Sequence, residues 1–169
     1  MTTYETYGPA PWIKTERYGI TKVLPDETSI IWYKALLLCA NGDGELAQAE
    51  RDWVIGHATT YHPQMSDSQI DELKTYDGTG STDDIEKLLF SNPLAKQGRY
   101  VLIYEAIQAS AADGEYSEGE KATIRKMATK LGISEAKVLE LENLFEEEKA
   151  LKEKRIKIWF PEGIPGEDK

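Results

Sequence analysis

Apolar residues recur at helical spacing through most of the 169-residue chain. The segment SIIWYKALLLCA, residues 29–40, is apolar on nearly every side and predicts a buried central helix. A later stripe has the three-and-four spacing of a helix with one buried face, formed by Tyr100, Ile103, Tyr104, Ile107 and Ala111. The predicted helices cover about 26–40, 47–59, 66–76, 83–90, 94–112, 117–131 and 134–158. No strand-like alternation interrupts them, so the predicted fold is all-α, with about seven helices.

The ends of the chain differ from this helical body. Residues 1–25 contain three prolines and no helical period, which predicts an irregular or short-strand N-terminal arm. Trp12 and Tyr18 give that arm a way to pack on the body, and a free tail is the alternative. The remaining organisation is a single helical domain over 26–160 and a C-terminal tail over 161–169.

Two segments of the chain match when one is displaced by 70 residues (Gly114 minus Gly44). The first reads CANGDGELAQAERDWVI from Cys39, and the second reads ASAADGEYSEGEKATI from Ala109. Each places Asp-Gly-Glu after an apolar helix and a further glutamate, Glu50 or Glu120, six positions after the glycine. The glycine supplies a positive-φ position for the turn. The pattern therefore predicts a duplicated helix–loop–helix unit.

The two copies differ at the start of their second helix. In the later copy Ser117 and Glu120 have the spacing of a capping box. In the earlier copy Ala47 replaces the serine, although Glu50 is retained. A glutamate kept without its serine partner suggests that the carboxylate has another role.

The first loop partly matches a calcium-binding loop. Asn41, Asp43 and Glu50 occupy ligand positions three, five and twelve, but Cys39 places a thiol at position one. The second loop keeps fewer ligands, so neither loop is a self-contained EF-hand. The copies could converge and share carboxylates, or water could complete the shell. The candidate metal ligands, with calcium as the favoured ion, are Asn41, Asp43, Glu45, Glu50, Asp113, Glu115 and Glu120. The alternative is purely structural: acids placed favourably at helix N-termini.

The two Asp-Gly turns, each followed by a glutamate helix, resemble those of the TerB-like tellurite-resistance family over roughly residues 28–150. The resemblance implies a seven-helix, pseudo-twofold domain linked to tellurite and chemical stress. It also implies an acidic metal-binding surface and complexes at the cytoplasmic face of the membrane. Carried onto this chain, the family's acidic positions are Asp43, Glu50, Asp113 and Glu120. The NGDG turn and Ala47 depart from the family pattern, which bears on the geometry of the first site.

The net charge of −10 and isoelectric point of about 4.8 favour cations or basic partners and argue against nucleic acid. Cys39 is the only cysteine, which excludes an intrachain disulfide. His57 and His62 straddle a predicted helix end and are interpreted as surface or cap residues. The N-terminal sequence lacks the pattern of a secretory signal, so a cytoplasmic location is expected.

The last predicted helix separates its charges along its length. Its inward residues are expected to be Val138, Leu141, Leu144 and Phe145. Acidic residues come first, and a basic segment precedes Trp159 and Phe160, formed by Lys149, Lys152, Lys154, Arg155 and Lys157. Cations at a helix C-terminus compensate the helix dipole. The alternative is a basic and aromatic patch for a protein partner or for peripheral contact with the inner membrane face.

Two functions follow as expectations. The first is a non-enzymatic, metal-responsive stress module that uses the acidic loops. The second is a metal-independent adaptor that uses helical faces or the basic C-terminal helix end. The sequence offers no catalytic residue set and no organic cofactor motif. A third possible function, after these two, is hydrolysis of phosphoesters by a carboxylate-bound metal.

Overall fold

The computed structural model describes residues 10–80, 83, 87 and 91–167. Within these residues the fold is all-α, as predicted. The α-helices of the described residues, in chain order α1 to α8, are Trp12–Tyr18, Asp26–Ala40, Gln48–Tyr61, Asp67–Thr75, Pro93–Gln97, Arg99–Ser110, Glu118–Lys130 and Glu135–Trp159. A short 3₁₀ turn, Asn41–Asp43, follows α2. The predicted helix over 83–90 falls largely outside the described residues.

The centre of the fold is the pairing of α2 with α6. Leu36 and Leu37 of α2 and Ile103 and Ile107 of α6 have no exposed surface. These two helices are the ones that precede the two acidic loops, so one apolar core fixes the starting point of both loops. The second helices of the two units, α3 and α7, pack on the outside of this pair.

The single helix predicted over 94–112 is in fact two helices, and Gly98 separates them. Gly98 has ψ of 4°, outside the range of a regular α-helix. A Cβ at this position would approach the Trp32 ring to 3.2 Å, so the chain bends where the indole packs against bare backbone. Asn92 caps the first piece by accepting hydrogen bonds from two backbone amides.

The N-terminal arm was expected to be irregular, but residues 12–18 form α1. Pro11 precedes the first turn, where its fixed φ suits a helix start, and Gly19 ends the helix with φ of 66°. Trp12 remains 73% exposed, whereas the Tyr18 ring packs edge-on against Tyr61. The arm therefore lies on the body through Tyr18 and not through Trp12.

The long helix α8 begins as predicted, with the Ser134 hydroxyl accepting a hydrogen bond from the Lys137 amide. Val138 is buried, but Leu144, expected to face inward, is 42% exposed. The hydrophobic pattern fails there because α8 has only one turn fully covered by the body, and its later residues reach into solvent. None of the described helices is both long and apolar enough to cross a membrane.

Candidate functional site

The two predicted acidic loops have the same backbone construction. Gly44 and Gly114 have φ of 91° and 99°, so each loop makes its turn at the predicted glycine. Asp43 Oδ1 accepts a hydrogen bond from the Glu45 amide at 2.9 Å, and Asp113 Oδ1 accepts one from Glu115 at 2.8 Å. The duplication seen in the sequence is therefore a duplication of structure, down to the aspartate-stabilised turn.

Each loop leads into a helix whose third residue is the glutamate that both copies of the repeat contain, Glu50 or Glu120. Glu120 Oε2 accepts a hydrogen bond from the Ser117 backbone amide at 2.6 Å. The Ser117 hydroxyl in turn accepts one from the Glu120 backbone amide, and the two bonds form the predicted capping box. Glu50 Oε2 accepts the corresponding bond from the Ala47 amide at 2.7 Å. Ala47 has no oxygen to return the bond, so the first copy has only half of the box.

The two units meet through a close approach of backbone to backbone. A Cβ on Gly42 would lie 2.8 Å from the Glu120 Cα, and a Cβ on Gly119 would lie 2.8 Å from the Asp43 Cα. Both distances are shorter than side chains tolerate. The glycines therefore allow the first loop to rest on the first turn of α7, and the sequence pattern did not single out either residue for this role.

The meeting brings Glu50 and Glu120 together. Their exposures are only 2% and 3%, and the neighbouring Glu120 carboxyl group helps to raise the pKa of Glu50. Two buried carboxyl groups that interact in this way are stable together when one of them holds a proton. Burial, followed by the interaction with Glu120, raises the pKa of Glu50 to about 8, and the charge of Asp113 acts in the same direction. We call these two residues the glutamate pair.

The other predicted ligands lie on the two loops and do not complete a coordination shell with the glutamate pair. Asp43, Glu45, Asp113 and Glu115 are exposed on the loops. The Asn41 side chain instead donates a hydrogen bond to the Gly78 carbonyl. Among the described residues, no three His, Cys, Asp or Glu side chains are grouped to hold a metal ion. The hard carboxylate oxygens suit calcium or magnesium, but they supply only the start of a coordination shell.

The raised pKa of Glu50 predicts a pH dependence of folding stability. A folded-state pKa above the unfolded value means that the folded state holds the proton more tightly, so this stabilisation is complete below pH 4.5 and disappears as the pH rises through about 8. Glu50→Gln cannot ionise, so its melting temperature should rise relative to wild type between pH 5 and pH 9. Thermal unfolding at both pH values measures this shift. An equal difference at the two values contradicts the shared proton, and Glu45→Gln serves as the exposed control.

A second group of polar residues lies buried beneath α1, where the sequence indicated only surface or cap histidines. His57 is 8% exposed and His62 is 2% exposed. Burial lowers the pKa of His57 to about 3 and that of His62 to about 2, so both rings are neutral at physiological pH. We call this group the histidine cluster; its members are Lys14, Tyr18, Tyr33, His57, His62 and Glu105.

Little in the sequence indicates the histidine cluster, because its members come from four separated helices or helix ends. The available signal is Tyr33, whose hydroxyl lies on a helix that is otherwise apolar all round. A buried hydroxyl needs a hydrogen-bond partner. Nothing local in the sequence identifies the two histidines as those partners.

The fold and the glutamate pair define a class of protein: an all-α module in which two copies of a helix–loop–helix unit bury one glutamate each against the other. The family model described as "Tellurite resistance protein TerB" matches residues 29–143. The chain belongs to the TerB family, as its resemblance indicated.

A solved structure is similar over nearly the whole chain. It is the 1.85 Å crystal structure of a tellurite resistance protein from Nostoc punctiforme PCC 73102. The two sequences are 37% identical, the TM-score is 0.78, and the match covers 91% of this chain and 93% of the other. No curated protein sequence matches the chain.

Proposed function

We propose that this TerB-family chain is a non-enzymatic stress-response module of the tellurite-resistance type, and that its two acidic loops bind one divalent cation, most readily calcium. The glutamate pair is the observation that carries the proposal. The description of the matching family and of the Nostoc punctiforme protein supports the tellurite-resistance class. The duplicated loops support a cation as the ligand.

The glutamate pair suits a cation because a cation lowers the cost of ionising both carboxyl groups. Glu50 and Glu120 are buried, so two uncompensated negative charges there are costly. A proton relieves the repulsion in the free protein, and a divalent cation would supply the same compensation with two charges. Asp43 and Asp113, on the turns that precede α3 and α7, would supply additional oxygen ligands.

Replacement of the proton by a cation at the glutamate pair would affect both helix–loop–helix units together. Glu50 belongs to the first unit and Glu120 to the second, and each also accepts the hydrogen bond that starts its own helix. A change of charge at the pair therefore acts on the first turns of both α3 and α7. We expect cation binding to stiffen those turns and the loops before them.

We expect calcium to raise the melting temperature of chelator-treated protein and to release close to one proton per ion at pH 7. The reason is that the Glu50 carboxyl group, with a pKa of about 8, is mostly protonated at pH 7 in the free protein. With so few protein ligands, the dissociation constant should be about 10⁻⁴ to 10⁻³ M. Calorimetry in buffers of different ionisation enthalpy counts the proton. No binding heat and no change of melting temperature at millimolar calcium would overturn the proposal.

A second candidate function rests on the C-terminal half of α8. Leu151, Ile158 and Trp159 are 58%, 68% and 62% exposed, an unusual number of large apolar side chains for one helix end. They alternate with the basic segment, and the Arg155 guanidinium lies 5.3 Å from the centre of the Trp159 ring. Such a surface would suit an anionic membrane or an acidic protein partner, which is the metal-independent adaptor expected from the sequence.

The adaptor function predicts binding to vesicles that contain anionic phospholipid and no binding to vesicles of neutral phospholipid. Lys152→Gln combined with Arg155→Gln should weaken that binding about thirtyfold, since each basic residue near an anionic surface contributes about 1 kcal/mol. Lys74→Gln combined with Lys126→Gln makes the same change of charge elsewhere and should have little effect. Vesicle co-sedimentation measures both, and equal losses in the two variants would count against this surface.

A further inference from the structure

The histidine cluster is a chain of hydrogen bonds, completed by one ion-pair contact, that the proposed cation site does not use. Lys14 Nζ lies 3.0 Å from His62 Nε2, and Tyr33 Oη lies 2.7 Å from His62 Nδ1. Tyr33 Oη also lies 3.2 Å from His57 Nδ1, and His57 Nε2 lies 3.4 Å from Glu105 Oε1. The set therefore joins a buried amine to a buried carboxyl group through three intervening side chains.

The direction of each hydrogen bond follows from counting protons. A protonated Lys14 can only donate, so His62 Nε2 accepts and the single proton of that neutral ring is on Nδ1. His62 Nδ1 then donates to Tyr33, whose hydroxyl donates to His57 Nδ1. The proton of His57 is consequently on Nε2, facing the Glu105 carboxylate and the Tyr18 hydroxyl. We assign the tautomers on this basis.

The same bonds can all run in the opposite direction. One proton shifted along each link converts the Lys14 ammonium and the Glu105 carboxylate into a neutral amine and a neutral carboxylic acid. Burial brings that neutral pair within reach, because it lowers the pKa of Lys14 to about 8 and raises that of Glu105 to about 7. A neutral amine beside a carboxylic acid is the form in which lysine acts as a nucleophile.

Lys14, His62 and Glu105 line one cavity of about 250 Å³. Its other walls are largely apolar, with Ile20, Leu24, Trp32, Leu94 and Val101. A dry cavity of about 150 Å³ is enough for benzene, so this one has room for a ring or a short chain that carries one polar group. The amine and the carboxyl group thus face the same small, mainly apolar space.

We propose that this cavity binds a small, mainly apolar aldehyde or ketone and that Lys14 forms an imine with it. The apolar walls would hold the hydrocarbon part, and the amine and the carboxyl group would face the carbonyl. This site is independent of the glutamate pair, because it shares no residue with it.

The chemistry balances within the cluster. The lone pair of the neutral Lys14 nitrogen attacks the carbonyl carbon, the carbon–oxygen π bond breaks, and one proton passes from nitrogen to oxygen to give a carbinolamine. The His62 Nε2–H group, 3.0 Å from Lys14 Nζ, then protonates the hydroxyl group, which leaves as water, and the relay replaces that proton from the Glu105 carboxylic acid. The products are a protonated imine on Lys14, the Glu105 carboxylate and one water molecule, so no oxidant or reductant takes part.

The test is reductive trapping with benzaldehyde and sodium cyanoborohydride at pH 7, followed by peptide mapping. We expect Lys14 to gain one benzyl group at a lower benzaldehyde concentration than exposed lysines outside the cavity, such as Lys152. Benzyl alcohol fits the same space and cannot form an imine, so it should protect Lys14 and leave Lys152 unaffected. Labelling of Lys14 no faster than Lys152, or an absence of protection, would overturn the proposal.

Two variants separate the roles of the amine and of the relay. Lys14→Arg retains the charge and should lose the fast adduct entirely. Tyr33→Phe interrupts the relay and should slow labelling of Lys14 at least about tenfold, with labelling of Lys152 unchanged. A Tyr33→Phe protein labelled at the wild-type rate would contradict the relay. Because the wild-type map alone compares Lys14 with Lys152, the proposal remains testable even if a variant fails to fold.

Discussion

Gly42→Ala and Gly119→Ala are each expected to destabilise the protein by about 2–3 kcal/mol, a loss of about 5–10 °C in melting temperature. The new methyl group would lie 2.8 Å from backbone atoms of the opposite unit. Backbone cannot move aside as the end of a flexible side chain can. The first loop would have to lift from α7, and that movement would also separate the glutamate pair.

Gly56→Ala provides the matched control for these two variants. Gly56 lies inside α3, and a Cβ there would meet nothing within 4 Å. Alanine has a higher helix propensity than glycine in a helix interior, so this variant should be about 0.5–1 kcal/mol more stable than wild type. Thermal and denaturant unfolding give the comparison. If all three variants change stability in the same direction, the close approach of the two units is not what Gly42 and Gly119 provide.

Glu105→Ala is the other substitution for which we expect a large effect, a loss of about 3 kcal/mol. The Trp32 indole donates a hydrogen bond to Glu105 Oε2 at 2.7 Å, and His57 faces the other oxygen. Removing the carboxyl group leaves the buried Trp32 indole N–H without an acceptor, removes the contact to His57 and opens a cavity beside both. The cluster also fixes α1 to the body, so the amides of residues 12–18 should exchange faster with deuterium.

Glu105→Gln separates the loss of hydrogen bonding from the loss of charge. Glutamine keeps the shape and an oxygen that accepts from Trp32, so we expect a loss of only about 1 kcal/mol and nearly normal amide exchange in α1. Chemical denaturation of the two variants at pH 7 gives the difference. Equal losses would mean that the negative charge, and not the hydrogen bonds to Trp32 and His57, determines the stability of the cluster.

Much of the fold could be predicted from the sequence because most helices carry strong local signals. The apolar segment 29–40, the capping residues Ser66, Ser117 and Ser134, and the repeated Asp-Gly turns each specify their own structure. The exceptions depend on contacts between distant segments. The break at Gly98 depends on the Trp32 ring, and the short helix α1 is held by contacts to α3, so local periodicity indicated neither.

The candidate site was predicted in its residues but not in its arrangement. The missing serine at Ala47 suggested a further role for Glu50, and the structure buries that carboxyl group beside Glu120. Which acids meet depends on how α3 and α7 pack, and that packing rests on Gly42 and Gly119. Spacing within one loop, as in the comparison with calcium loops, carries no information about such a contact between loops.

The measurement that tests the central claim most directly is the stoichiometry of calcium binding by calorimetry, for wild type, Glu50→Gln and Glu120→Gln. If the two loops form one site around the glutamate pair, wild type should bind one calcium ion per chain. Either substitution alone should then remove all of the binding heat. Two ions per chain, or one ion that still binds in either variant, would contradict a shared site, and no binding in wild type would contradict a calcium site altogether.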